Sequence, residues 1–290
     1  MANLSGAALA LVLTAALFHS CWNALTKQAR DQFAFLCLAV AVGSVLFLPV
    51  TLWALPPGGV PAVAWPYVVA TIVLHALYFY ALGRSYRSGE FSLVYPVARG
   101  LGVALVPIFA ALFLDERRSA AGALGIALVV VGIIALQWIG RPPAAVGARR
   151  RLGSGTGWAL LTGVTIAAYA LVDKAGVSRL HPVPYIGLMF VGSLLLLLPA
   201  VLANVERFRR EWTANWRAIL VASVMTLTAY LLVLFAFRLS KAGYVVAARE
   251  VSIVFSVVIG RLWFAERHLA ARLAGAALVL AGVICLALAR

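Results

Sequence analysis

The segment GIALVVVG at residues 125–132 returns as GAALVLAG at residues 275–282. Five of its eight positions are identical, among them the glycine at each end. A Glu-Arg pair precedes each copy, at 116–117 and at 266–267, so the offset of 150 residues also holds outside the apolar segment. Shared apolar composition produces some identities by chance, whereas polar matches at a constant offset are harder to obtain that way. We interpret the pattern as an internal duplication.

Further matches follow the same order along the chain. Arg99 matches Arg249 at the same offset. The other matched pairs, some with slips of one or three residues, are Ser44 with Ser193, Pro49 with Pro199, Trp22 with Tyr169, and Lys27 with Lys174. A linker rich in Pro, Gly and Arg, RPPAAVGARRRLGSG at residues 141–155, divides the chain near its middle. We therefore predict one repeat at 1–140 and a second at 156–290.

Composition places these repeats in a membrane. Of 290 residues, 64% are hydrophobic and only 11% are charged, with a mean hydropathy of +1.02. Soluble globular chains are about half apolar and a quarter charged, so this much apolar surface needs lipid as its solvent. The net charge of +15 comes from short loops between apolar runs, as is typical of loops held on one side of a membrane. We therefore expect a lipid bilayer and no nucleic acid as a partner.

Ten apolar stretches are long enough to cross a hydrocarbon layer of about 30 Å. We predict these spans at 5–25, 32–55, 64–84, 91–114, 119–139, 156–174, 182–204, 216–238, 242–264 and 269–289. Only helices or closed barrels satisfy the backbone in lipid, and the stretches are too long for barrel strands. The predicted fold class is all-α integral membrane with ten transmembrane helices. Because each repeat holds an odd number of spans, the second enters from the opposite side, which predicts two inverted five-helix repeats.

Two short turns carry a family resemblance. LDER at 114–117 and FAER at 264–267 each connect an apolar span to a Gly-rich one. Together with the order of the spans, they resemble the EamA branch of the drug/metabolite transporter superfamily over essentially the whole chain, and HSCWN at 19–23 is similar to a subset of that branch. The resemblance implies export or exchange of amino acids and similar metabolites across the cell inner membrane. It also implies a central cavity lined mainly by spans 1, 3, 4, 6, 8 and 9, with spans 5 and 10 at the periphery.

Loops do not explain three of the charges, those of Arg99, Arg249 and Glu250. Each lies about 12 Å along its predicted helix, and a charge at the bilayer centre costs at least about 2.5–3.5 kcal/mol. One interpretation is an ion pair of Glu250 with Arg99 across the repeat axis. The other is substrate binding, and both hold if one arginine is paired and one is free. Two arginines against one glutamate leave a positive centre, and guanidinium groups suit carboxylates, so we expect an anionic substrate rather than a cationic drug.

Polar and aromatic residues follow one face of six predicted helices. These faces predict a cavity lining, with hydrogen bonds between helices as the alternative. The candidate substrate-binding residues are His19, Trp22, Asn23, His75, Tyr78, Tyr95, Arg99, Tyr169, Tyr230, Arg249, Glu250 and Ser252. His19 or His75 could carry a proton, although a lone membrane histidine is more often only hydrogen-bonded. We place Asp173 and Lys174, at the end of span six, at the membrane interface.

The sequence favours a secondary transporter over two other function classes. An intramembrane enzyme acting on a lipid or isoprenoid needs a metal-spaced cluster or a nucleophile with its base, and the deep residues hold no such set. A membrane scaffold would not need two arginines deep in the membrane. No G-x-x-x-x-G-K-[ST] run occurs, so pumping must use a gradient or a partner, and we expect no cofactor.

The expected assembly is a monomer or a weak homodimer that binds a small molecule. Its orientation stays open at this point. Counting Lys and Arg in the loops puts both termini outside the cell, whereas the family resemblance implies that both are cytoplasmic.

Overall fold

The computed structural model describes residues 4–88, 91–116, 119–139, 154–264 and 269–288. Within these ranges the chain is helical, with one short 3-10 turn and no strand. The helices are α1 Gly6–Gln28, α2 Gln32–Trp53, α3 Trp65–Ser88, α4 Phe91–Phe113, α5 Ala120–Ile139, α6 Ser154–Gly176, α7 Pro182–Leu202, α8 Val205–Leu239, α9 Ala242–Arg249, α10 Ser252–Phe264 and α11 Leu269–Leu288. Most of the predicted linker, residues 141–153, and the FAER turn from residue 265 onward lie outside the described residues.

The helices have the length and the surface of membrane spans. In the described part of the chain, six are long and apolar enough to cross a membrane, and three shorter apolar helices lie within α4, α5 and α11. Large apolar side chains point outward along them, for example Val45, Leu112 and Leu195, each more than half exposed. A soluble monomer rarely exposes so much contiguous apolar surface, whereas lipid solvates it without penalty.

Helix α8 begins earlier than predicted. The eighth span was expected at 216–238, but the helix already begins at Val205, and its backbone bends at Asn215. The side chain of Asn204 caps the first turn, and Glu206 pairs with Arg210 one turn later. Glu and Arg are good helix formers, and such caps and pairs stabilise a helix of charged residues. The charged segment before residue 216 thus lies outside the predicted apolar span and is helical all the same.

The ninth span, predicted as one helix at 242–264, is interrupted. Helix α9 ends at Arg249 and α10 begins at Ser252, with Glu250 and Val251 in a turn between them. The amide of Ile253 donates to Glu250 O, three residues back instead of four. This tighter hydrogen bonding interrupts the α-helix next to the two charged residues, Arg249 and Glu250. The prediction of a continuous helix was wrong because apolar periodicity does not report hydrogen-bond register.

Contacts between the two predicted repeats occur in matching pairs. Helix α1 packs on α8, and α3 packs on α6. Because α1 corresponds to α6 and α3 to α8 in the predicted repeat, these two contacts are equivalent. Helix α2 packs on α7, and α5 on α11. At the last contact, a Cβ on Gly125 would lie 2.8 Å from Gly282 O, and one on Gly132 would lie 2.8 Å from Gly275 O. The early glycine of each helix thus faces the late glycine of the other, so the two helices run antiparallel with their backbones in contact.

Candidate functional site

A cavity lies between α1, α3, α6, α7, α8 and α9. Its empty volume is about 550 Å³, counting the space at its opening. Seven predicted site residues line it: His19, Trp22, His75, Tyr78, Tyr169, Tyr230 and Arg249. The remaining lining is mostly apolar and comes from α1, α3, α7 and α8. A largely apolar cavity with a few converging polar groups is the usual form of a small-molecule site.

A second, smaller cavity of about 280 Å³ adjoins the first. His19 and Tyr78 line both cavities, so these two side chains form the wall between them. Asn23 and Arg99 line only the smaller one. The side-chain amide of Asn23 donates one hydrogen bond to His19 O within its own helix. The two deep arginines therefore face different spaces.

Arg99 is paired with Glu250. Its Nη2 donates to Glu250 Oε1 at 2.5 Å, and both side chains are buried. The pair joins α4 of the first predicted repeat to the turn between α9 and α10 in the second. It is the ion pair that the sequence offered as one interpretation of the deep charges. A charged partner offsets part of the large cost of burying either group alone.

Arg249 has a different environment from its repeat counterpart. Its side chain lies in the larger cavity and is only 5% exposed. Its Nε has no hydrogen-bond partner, and no ion pair of Arg249 occurs among the residues that the structure describes. The turn that begins at Glu250 makes this possible, because it sends the carboxylate toward Arg99 and leaves Arg249 at the end of α9. The C-terminal end of a helix favours a cation through its dipole.

Glu116, from the LDER turn, holds the start of α9. Its buried carboxylate accepts hydrogen bonds from the amides of Ala242 at 2.9 Å and Gly243 at 3.5 Å. These are among the amides at a helix start that have no partner inside the helix. A carboxylate there also complements the helix dipole. The acidic turn of the first predicted repeat thus positions the short helix that carries Arg249.

Aromatic rings form one wall of the larger cavity. The ring of His75 lies 4.3 Å from that of Tyr169 and 5.2 Å from that of Tyr230, measured between centroids. Tyr78 packs edge-on against Tyr169 at 5.6 Å. On the α1 side, His19 and Trp22 make a perpendicular contact at 4.9 Å. The electron-rich faces of such rings can hold a cationic group, while Arg249 can hold an anionic one.

Comparisons with known proteins agree with this architecture. Residues 153–288 match the model of the EamA-like transporter family, and residues 61–129 match that of the Small Multidrug Resistance proteins. Over its second half, the chain is therefore similar to the EamA-like transporters. The resemblance seen in the LDER and FAER turns is thereby confirmed.

Two individual proteins resemble this EamA-like chain. The nicotine metabolites export pump subunit NepA of Paenarthrobacter nicotinovorans is 35% identical over 69 residues, which cover 24% of this chain and 60% of that protein. A protein of known crystal structure superimposes with a TM-score of 0.73 over 97% of both chains at 16% identity, a likeness that shows the fold alone. With its apolar helices, the EamA-like chain is a multi-pass membrane protein.

The EamA resemblance implied a cavity lining from spans 1, 3, 4, 6, 8 and 9. The larger cavity takes residues from α1, α3, α6, α8 and α9, while α4 reaches only the smaller one through Ala98 and Arg99. Helix α7, which was not expected there, contributes Met189 and Phe190. Apolar residues carry no sequence signal that separates cavity lining from lipid contact, so only packing could find them.

Some predicted site residues lie elsewhere in the EamA-like chain. Ser252 is buried at the start of α10 and lines neither cavity; its carbonyl accepts from Ser20 Oγ at 2.9 Å. The side chain of Tyr95 lies outside the described residues. Thr26 donates to Trp22 O of its own helix and lines neither cavity. Thr162 donates to Trp158 O and also lines the smaller cavity.

Sequence reasoning underestimated Asp173 and Lys174. The carboxylate of Asp173 is 0% exposed and accepts hydrogen bonds from the hydroxyls of Tyr185, at 2.8 Å, and Tyr230. Lys174 is also buried and donates to the carbonyls of Phe237 and Ser240 at the end of α8. The interfacial placement followed from their position near a helix end. Neighbouring helices cover the end of α6, so both charged side chains are buried although they lie near a helix end.

Proposed function

We propose that this protein is a secondary transporter in the cell inner membrane that exports or exchanges small metabolites with an anionic group, amino acids and related carboxylates first among them. The substrate binds in the larger cavity with its carboxylate on Arg249. The two inverted five-helix repeats, 1–140 and 156–290, rock about this site and open it to each side in turn.

The observation that carries the proposal is the state of Arg249. A buried guanidinium without a partner is costly, so a protein retains one where a ligand supplies the missing charge. The acid next to it in sequence, Glu250, is already engaged by Arg99. A carboxylate that enters the cavity can therefore accept two hydrogen bonds from the guanidinium of Arg249. Such charge-assisted hydrogen bonds are strong where water is excluded.

The aromatic wall supports amino acids among the anionic solutes. An α-amino acid carries an ammonium group close to its carboxylate. With the carboxylate on Arg249, the ammonium group can face the rings of His75, Tyr169 and Tyr230, which line the same cavity. Cation–π attraction at a desolvated site is worth about 2 kcal/mol.

The packing of the helices supports alternating access. The exchange symmetry of the contacts, α1 with α8 and α3 with α6, and the antiparallel glycine contact of α5 with α11 are what an inverted repeat requires. The interruption between α9 and α10 lies beside Arg249, and inverted-repeat transporters commonly bind substrate at such discontinuous helices. Export as the direction is suggested by NepA, whose name describes an export pump subunit. A monomer or weak homodimer suffices for this mechanism.

A binding measurement tests the proposal directly. The purified full-length protein is melted in detergent with L-glutamate, L-leucine, malate, glucose 6-phosphate or ethidium. A ligand at 100 times its Kd stabilises the folded state by about 2.7 kcal/mol, which raises the melting temperature. We expect a rise with one class of carboxylate-bearing solute and its loss in Arg249→Gln. Arg179→Gln is the matched control, since this exposed arginine donates to Ala175 O and does not line the cavity.

Two results would contradict the proposal. A rise with ethidium alone would show that the cavity selects cations. An equal response to carboxylates in Arg249→Gln and in the wild-type protein would place the anion site elsewhere. Flux of the responding solute into liposomes then separates a transporter from a protein that only binds it.

A further inference from the structure

Behind the cavity wall, a fully buried acid meets a histidine. Asp173 of α6 accepts from Tyr185 OH at Oδ1 and from Tyr230 OH at Oδ2. His75 Nε2 of α3 lies 4.0 Å from Asp173 Oδ2. His75 and Tyr230 line the cavity, whereas Asp173 does not. These two side chains therefore link the cavity to the buried acid.

The other nitrogen of His75 is also next to an acceptor. Its Nδ1 lies 3.0 Å from Thr71 O and 3.0 Å from Thr71 Oγ1, one turn earlier in the same helix. A backbone carbonyl only accepts hydrogen bonds, and a neutral imidazole carries a hydrogen on one nitrogen only. A neutral His75 thus cannot give a hydrogen to Thr71 O and to the Asp173 side at the same time. The imidazolium has a hydrogen on both nitrogens, so its Nδ1 can donate to Thr71 O while its charge and its Nε2 hydrogen face Asp173 Oδ2, 4.0 Å away.

We propose that His75 and Asp173 form the proton-binding site of this transporter and couple proton movement to the anionic solute held by Arg249. The proton adds to the free ring nitrogen of neutral His75 and leaves as the reverse step, so no other bond forms or breaks. This inference rests on the proposed function, because it names the coupling ion of that same cavity.

The charges around His75 determine the sign of the coupling. From α6 the ring meets Asp173 and Tyr169, and from α8 it meets Tyr230. Tyr78 lies on its own helix, Arg249 of α9 and His19 of α1 line the same cavity, and Tyr185 of α7 faces Asp173. Asp173 attracts a positive charge on the ring, while Arg249, which lines the same cavity, opposes it.

Arg249 and a protonated His75 repel each other across the cavity. A carboxylate on Arg249 neutralises this repulsion, so solute and proton favour each other's binding, and the linkage is reciprocal. The anionic solute therefore carries a proton with it in the same direction, and the sum of the two gradients sets the direction of net transport.

A flux experiment tests the coupling. The full-length protein is reconstituted in liposomes that contain a pH-sensitive dye, and a mixture of labelled L-glutamate, L-leucine, malate and glucose 6-phosphate is added outside. We expect uptake of label with acidification inside. In His75→Gln and in Asp173→Asn, the ratio of protons to solute falls at least tenfold. His181→Gln, at the exposed start of α7, is the matched control and retains the wild-type ratio.

Uptake by the wild-type protein with no change of internal pH would overturn the coupling while the proposed function stands. An unchanged ratio in His75→Gln would overturn it as well. If no solute of the mixture is taken up, the proposed function fails, and a titration of the purified protein between pH 8 and pH 5 decides on the proton site.

If His75 and Asp173 share one proton, the number of protons bound between pH 8 and pH 5 shows it. We expect His75→Gln, Asp173→Asn and the double variant each to bind about one proton fewer than the wild-type protein, because interacting groups titrate as a pair. Losses that add up to two protons in the double variant, or no loss in Asp173→Asn, would rule out a shared site.

Discussion

Arg99 donates to Glu250 Oε1 at 2.5 Å, so the deep arginine of the first predicted repeat neutralises the acid next to the deep arginine of the second. The two arginines occupy equivalent places in the sequence and perform different tasks in the structure. Arg99 holds α4 to the turn between α9 and α10, while Arg249 is left in the cavity. This asymmetry can be tested on stability and on ligand binding separately.

Arg99→Gln is expected to destabilise the protein, and Arg249→Gln is not. Removing one partner of a buried ion pair leaves an uncompensated charge and costs about 3–5 kcal/mol. Arg249 has no such partner in the described part of the chain, so its loss removes a desolvated charge. Thermal unfolding in detergent checks both. The double variant Arg99→Gln, Glu250→Gln should recover part of the loss, and a larger loss in Arg249→Gln than in Arg99→Gln would contradict the assignment.

The α5–α11 contact should not tolerate a side chain at Gly125 or Gly282. A Cβ on Gly282 would lie 2.6 Å from Gly125 O, and backbone atoms cannot move aside as a flexible side chain can. We expect Gly282→Ala to lower the free energy of unfolding by about 1–3 kcal/mol. Gly157→Ala in α6 is the matched control, since nothing lies within 4 Å of its Cβ position. Equal melting temperatures for the two variants would show that the backbones are not in contact.

Glu116→Ala should loosen the start of α9. The substitution leaves the amides of Ala242 and Gly243 without their acceptor, which costs about 1–3 kcal/mol when the amides are buried. Because α9 carries Arg249, ligand-induced stabilisation should fall as well. Asp115→Asn is the control, since the neighbouring Asp115 is exposed and asparagine tolerates its positive φ of 50°. If the ligand still stabilises Glu116→Ala as much as the wild-type protein, Glu116 does not help to position Arg249.

The Asp31–Arg207 pair should make stability depend on pH. Burial raises the pKa of Asp31, but the hydrogen bond from Arg207, the amide of Ala34 and the Arg207 charge together bring this pKa below its ordinary value. A carboxyl whose pKa is lowered by folding contributes stability above its unfolded pKa of about 3.9, and the contribution is lost as pH falls through the folded value. The pair is partly exposed, so the contribution is at most about 1 kcal/mol.

Asp31→Asn checks this, because asparagine keeps the helix cap at α2 and removes the charge. We expect it to melt below the wild-type protein at pH 7 and to approach it at pH 3. Glu206→Gln is the control, since Glu206 and Arg210 are more than half exposed and their pair should matter little at either pH. An identical gap for Asp31→Asn at both pH values would exclude the ion pair as its cause.

Much of the fold followed from apolar length alone. The bounds of α2, α4, α5 and α7 fall within two residues of prediction, because lipid demands a continuous apolar run of fixed length. The errors occur where charge entered a helix. The charged segment 205–214 lay outside the predicted eighth span but belongs to α8, and the charged pair at 249–250 was expected inside an unbroken helix. In both places the hydrogen bonds of particular side chains or amides decided the outcome.

The sequence by itself determined the membrane class, the resemblance to the EamA-like family and half of the residues that line the larger cavity, because hydropathy, spacing and short motifs are written along the chain. Only the tertiary structure decided which arginine is paired, where the ninth span breaks, and that Asp173 is buried beside His75. These depend on distances between side chains far apart in sequence, and two equivalent arginines look alike until the fold brings a single carboxylate to one of them.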